Sequence, residues 1–150
     1  MTGDVKAIFL DTNVLVYANV QESPWHQVAV DTIEQYYQAG IELWLSRQIL
    51  REFTAVLTRP QTFTQPRPIA TVTARVRFFE ENFYLAEDNS VVTTNLLTLL
   101  ETIPIGGAQV HDANIVATMQ AYNLTHLLTY NTQDFNRFAH LITILPLINK

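Results

Sequence analysis

The sequence contains no cysteine, so neither a disulfide framework nor a thiolate zinc site is open to it, as suits a cytosolic protein. Charged residues make up only 15% against 48% apolar ones, a balance that excludes a disordered chain and a long coiled coil. Long apolar runs are missing too: none approaches the ~20 residues that a membrane helix requires, so no membrane association is expected. The opening stretch, Met1-Thr2-Gly3-Asp4-Val5-Lys6 and then Ala7-Ile8-Phe9-Leu10, meets Asp11 too early for a signal peptide. Glycine is scarce, with four in the chain. Gly-rich phosphate and dinucleotide loops are absent, as is a Gly-x-Ser-x-Gly elbow. The four histidines (His26, His111, His126, His140) lack the spacing of metal ligands. Positive charge is also short, and the net charge of −5 argues at face value against a nucleic-acid partner. What is present is a chain of 150 residues, the size of one domain (1–150) with a real core.

That average conceals an asymmetry. Residues 47 to 77 hold Arg47, Arg51, Arg59, Arg67, Arg75 and Arg77 with a single acid, Glu52, and so carry +5, whereas the rest of the chain carries −10. Segregated charge of this kind offers a polyanion-binding face on an acidic protein, or else a set of solvated helix positions. The use of arginine throughout, with its bidentate fork, leans toward phosphate or carboxylate recognition.

Ala7 to Leu10 reads as a short buried strand. Ser23-Pro24 opens a helix that runs to about Ala39, where Gly40 ends it. Ile41 to Leu45 is a second strand, and Ser46 caps a helix from Arg47 to about Leu57. Gln61 to Pro68, with Pro60, Pro66 and Pro68, reads as an extended loop. Helices follow at Thr71 to Asn82, Val91 to Glu101 and His111 to about Asn123. Leu127 to Tyr130 is a strand, Asp134 to Phe138 a short helical turn, and Ile142 to Leu145 a final strand. Short apolar strands joined through helices make an α/β fold with a mostly parallel sheet covered on both faces. Ligands of such sheets lie beyond the carboxyl ends of the strands.

Acids at those ends, or on inward-facing stripes, are therefore the ones that bear on function. Asp11 follows the first strand directly, where capping the next helix would also explain it. Glu52 falls in the apolar series Ile49, Glu52, Phe53, Val56, and Asp112 in a series with Ile115, Val116 and Met119. A carboxylate on an inward stripe is costly unless it is paired or bound to a cation. An edge salt bridge would explain either one alone, but three such acids converging on one pocket, with Asn131 and Asp134 just past the strand Leu127 to Tyr130, point to mutual repulsion relieved by a cation. Oxygen donors without nitrogen or sulfur suit Mg²⁺ or Mn²⁺.

Phe9-Leu10-Asp11-Thr12-Asn13-Val14-Leu15, Glu52 in its helix, His111-Asp112-Ala113-Asn114-Ile115-Val116-Ala117 and Leu128-Thr129-Tyr130-Asn131-Thr132-Gln133-Asp134-Phe135 occur here in an order and spacing that resemble the PIN domain family, and within it the VapC-type toxins of toxin–antitoxin pairs. The resemblance implies a three-layer α/β/α sandwich and a Mg²⁺- or Mn²⁺-dependent endoribonuclease in the cytoplasm. It further implies a homodimer, an RNA substrate and a cognate antitoxin protein. By the same resemblance Asp11, Glu52 and Asp112 are the catalytic, metal-site acids. The family's fourth acid often falls where Asn131 stands, so Asn131 or Asp134 would complete the site, or Asp134 would cap the following turn instead. Thr12, Asn13 and Thr129 offer supporting polar groups, and Arg47, Arg51, Arg75 and Arg77 would contact RNA or antitoxin. The expected chemistry is in-line attack on phosphorus by water that a divalent ion has made nucleophilic, leaving 5′-phosphate and 3′-hydroxyl ends. Two alternatives stay open: a catalytically silent RNA- or protein-binding module, and a non-toxin RNA-processing nuclease. An aspartyl-phosphate phosphatase fits less well, because Asn13 stands where that chemistry wants a second acid.

Overall fold

A computed structural model describes residues 5–60 and 67–149. Strand β1 (Ala7–Leu10) is followed by helices α1 (Thr12–Asn19) and α2 (His26–Gln38), then by β2 (Glu42–Ser46), α3 (Arg47–Leu57) and α4 (Ile69–Asn82). Strand β3 (Tyr84–Ala86), α5 (Ser90–Thr102), α6 (Gln109–Ala121), β4 (His126–Thr129), a 3₁₀ segment (Thr132–Phe138) and β5 (Thr143–Pro146) complete the chain. The five strands form one sheet in the order β3-β2-β1-β4-β5, and every pairing is parallel.

The order explains the layers. From β1 the chain steps outward through β2 to β3, then returns across the sheet to β4 and β5 on the other flank. Because crossovers between parallel strands are right-handed, the two directions of travel place their helices on opposite faces, giving the expected three-layer sandwich. On one side α1 packs against α2 and α3, and α3 against α4; α5 and α6 pack on each other. Covered on both faces, β1 needs no polar alternation, and Ile8, Phe9 and Leu10 are wholly buried.

Local chemistry sets the boundaries. The Ser46 hydroxyl accepts the Ile49 N–H at 3.3 Å and opens α3 at Arg47, as its sequence implies. Gly40 takes φ +79° just past α2, a conformation that favours glycine. Phe53 of α3 meets Phe79 of α4 edge to face at 5.0 Å, and burying each ring stabilises the sandwich by roughly 2–3 kcal/mol.

Differences from the sequence reading lie in short elements. Helix α1 had only its cap to announce it, and β3, three residues long, is too brief for a periodic signal. Helix α2 begins at His26, because Ser23 caps a turn by accepting the Trp25 N–H at 3.1 Å. β5 carries Pro146, which an edge strand tolerates because no neighbour needs its missing N–H. Of the loop expected over Gln61 to Pro68, residues 61–66 lie outside the described residues.

Candidate functional site

Strands β1 and β4 are adjacent, yet the chain leaves them toward opposite flanks, so a crevice opens beyond their carboxyl ends. A cavity of about 480 Å³ lies there, and its wall includes Asp11, Glu52, Asp112, Asn131 and Asp134 together with Thr12 and Asn13. All five proposed ligand positions thus come from four separate parts of the chain to one cavity. Thr129 is wholly buried just behind it.

Asp11 is 7% exposed and does two things at once. It is the N-cap of α1, accepting the Thr12 N–H at 2.8 Å, and it also receives the Thr129 hydroxyl at 2.8 Å and the Asn13 amide at 3.2 Å. The capping role and the site role are therefore not alternatives. Asn13 uses its other end to accept the Tyr130 N–H at 3.0 Å, and the Thr129 hydroxyl accepts the Asn131 N–H at 3.0 Å, so the end of β4 is tied to the end of β1.

Glu52 takes the Thr12 hydroxyl at 2.6 Å on one oxygen and the Gln48 amide at 3.0 Å on the other. Gln48 is buried; it also donates to the His111 carbonyl at 2.9 Å and accepts the Asn114 amide at 2.9 Å. This side chain locks α3 to the start of α6 and so sets where Asp112 stands. Asp112 itself occupies the first turn of α6 and accepts no hydrogen bond among the described residues. The His111 ring is exposed. Asn131 and Asp134 open the 3₁₀ segment, and Asp134 sits inside its first turn rather than capping it.

The electrostatics follow from this crowding. Burial pushes the Asp11 carboxyl up to about 6, and the charge of Glu52 adds to that, against the three hydrogen bonds that favour the ionised form. Burial also raises Asp112 to about 6, helped by Asp11, Asp134 and Glu52 and opposed by Arg137. None of the four acids has an ion pair among the described residues. A hard divalent cation fits this donor set in kind: oxygen ligands, excess negative charge and two carboxyls that burial makes costly to ionise. Among the described residues, however, no three His, Cys, Asp or Glu side chains stand close enough together to grip one ion as placed.

Three residues of the site were not singled out from sequence. Gln48 lies one turn before Glu52, so a second polar residue on the inward face was its signal. Arg59 and Tyr17 also line the cavity. Arg59 continues the Glu52–Val56 face of α3 at the helical spacing, whereas an aromatic in a short helix carries no signal beyond core packing. The four arginines assigned to RNA or antitoxin lie elsewhere. Arg47 forms a fork on Glu87 at 2.9 and 3.1 Å and also pairs with Glu80. Arg51 lies 4.0 Å from Asp88, Arg75 donates to Asn19 at 2.9 Å beneath the rings of Phe78 and Phe79, and Arg77 is exposed.

The sequence profile of the PIN domain matches residues 8–141. The chain belongs to the PIN domain family. Among solved structures, this PIN domain is similar to a toxin–antitoxin complex from Klebsiella pneumoniae, with a TM-score of 0.67 and 17% identity over 95% of this chain and 99% of that one. It is similar also to VapBC2 of Rickettsia felis bound to a promoter DNA fragment (TM-score 0.64, 16% identity, 93% and 98% coverage). A third likeness is to VapC20 of Mycobacterium tuberculosis, a toxin that cleaves the sarcin–ricin loop (TM-score 0.61, 16% identity, 80% and 86% coverage). At these identities the likeness speaks to the PIN fold. Among curated protein sequences none matches this chain. No helix among the described residues is long and apolar enough to cross a membrane.

Proposed function

We propose that this PIN domain is an endoribonuclease dependent on Mg²⁺ or Mn²⁺, the toxin of a toxin–antitoxin pair. One observation carries the reading: four carboxylates from separate elements line a single cavity at the switch point of the sheet, burial raises two of them to about 6, and none of the four has an ion pair among the described residues. A structural salt-bridge network would bring its own counter-charges. Asp11, Glu52 and Asp112, with Asn131 or Asp134, are the residues that would hold the ion. When bound, it supplies Lewis acidity toward a phosphate oxygen and lowers the pKa of water.

The chain's own groups divide the remaining work. Thr12 and Gln48 orient Glu52, while Asn13 and Thr129 hold Asp11. The Asp112 carboxylate, without a hydrogen-bond donor among the described residues, is open to take a proton from the attacking water. Arg59, on the cavity wall, offsets the charge of an incoming phosphate. The RNA substrate, the homodimer and the antitoxin partner belong to the same proposal, the last supported by the complexes in which the similar structures were determined.

The test is cleavage of RNA by the purified protein with Mg²⁺ or Mn²⁺, with product ends mapped. Loss of cleavage in Asp112→Asn and with EDTA is expected; full activity in either case overturns the reading. A silent RNA-binding module is the second reading, and it rests on Asn131 in place of an acid and on the spacing of the acids as placed among the described residues. RNA binding without cleavage at any divalent concentration would decide for it.

A further inference from the structure

The cavity that gathers the acids has a second wall of a different character. Tyr17, on α1 two turns beyond Asp11, lines it beside Val16 and Val56. The Tyr17 ring stands edge-on to Tyr130 at 5.4 Å and 86°, and Tyr130 in turn lies against Trp25 at 5.4 Å. The three rings come from α1, from the turn before α2 and from the end of β4, and each is half-buried, unlike the wholly buried Phe9, Phe53 and Phe135 of the core. The cluster is also held in place. His26 Nδ1 lies 2.9 Å from the Tyr17 carbonyl oxygen, and the Tyr130 N–H is bonded to Asn13, itself a partner of Asp11. Tyr130 thus sits in the chain between Thr129, which donates to Asp11, and Asn131, which lines the cavity.

Four acids outnumber Arg59 on the cavity wall, so without a bound cation charge alone gives little affinity for the phosphate backbone that the proposed function requires it to receive. Stacking supplies affinity that charge cannot, and a π-face accepts any base. From this juxtaposition we infer that Tyr17, braced by Tyr130 and Trp25, is the stacking platform for one unpaired nucleobase next to the phosphate at the acids. The inference rests on the nuclease reading and adds to it a base subsite on the aromatic wall, one that a base already stacked within a duplex would not fill. Tyr17 is a positioning residue, so its loss acts on KM more than on kcat.

The experiment uses a single-stranded RNA oligonucleotide that the wild-type protein cleaves, and a series of the same RNA with one abasic nucleotide moved across the cleaved bond. One abasic position is expected to raise KM about 10-fold, as loss of one stacked base should. Tyr17→Leu should raise KM for the intact RNA by a similar factor and abolish the sensitivity at that position, while Tyr17→Phe, which keeps the ring, retains both wild-type values. The abasic series needs only wild-type protein, so it decides even where Tyr17→Leu does not fold. A flat series, or an unchanged abasic penalty in Tyr17→Leu, overturns the platform and leaves the nuclease reading standing. A wild-type protein that cleaves no RNA overturns that reading, and the platform with it.

Discussion

The acid cavity and the arginine segment are opposite in charge, and they handle that charge in opposite ways. In the segment from Arg47 to Arg77, three of the six cations have an acidic partner, Arg47 in Glu80 and Glu87, Arg51 in Asp88 and Arg67 in Glu22, and Arg75 is held by Asn19 and two rings. In the cavity, four carboxylates face one another with no ion pair among the described residues. Counted along the chain, the segment looked like the charged surface awaiting a partner. Counted in space, half of its cations have an acid partner, while the cavity gathers four acids with none, and Arg59 is the member of the segment that lines it. Charge available for binding is what remains after local pairing, and pairing is a property of the fold.

The strongest way to break this contrast is at Asp11, where charge and structure coincide. Asp11→Ala removes the cap of α1 and leaves the Thr129 hydroxyl and Asn13 amide without their acceptor, so it should destabilise the fold by about 2–3 kcal/mol in urea denaturation as well as abolish cleavage. Asp112 should behave in the opposite sense. It is partly buried, accepts no hydrogen bond among the described residues and has three acids pressing on it, so Asp112→Asn is expected to stabilise the protein by about 1 kcal/mol at pH 7.5 without divalent ions, allowing for partial solvent screening. Destabilisation would show that the cavity is not electrostatically strained.

The same contrast has a pH signature. Folded Asp11 and Asp112 titrate at about 6, against 3.8 for an unperturbed carboxyl, so between these values the folded state holds more protons than the unfolded one. Their contribution to stability is fully present below about pH 4 and is lost as pH rises through about 6. Chemical denaturation across this range should show that loss in the wild type and a shallower one in Asp112→Asn, and Mn²⁺ at pH 7.5 should restore the stability of the wild type. Smallest is the effect expected at Arg47. Arg47→Ala removes two solvent-accessible ion pairs and should cost under about 1 kcal/mol with cleavage unchanged.

Asp11, Glu52 and Asp112 were legible because each interrupts an apolar pattern whose period declares an inward face. Asn131 and Asp134 were legible by position after a strand. Gln48 broke the same face as Glu52, yet an uncharged amide interrupts a stripe quietly. Its importance lies in bridging α3 to the His111 carbonyl of α6, 63 residues away. Tyr17 was illegible, since a half-buried ring at a cavity and a buried ring in a core have the same letters around them. β3 was illegible because three residues carry no period.

The sequence by itself determined the alternation of strands and helices, the all-buried character of β1 and the places where acids stand against the grain, because hydrophobic period and capping act over a few residues. The tertiary structure alone decided which acids meet, which arginines are already satisfied and that an aromatic wall adjoins the acids. Those facts depend on crossovers that bring the ends of β1 and β4 together, and the distances they create are set by packing between elements that no local pattern records.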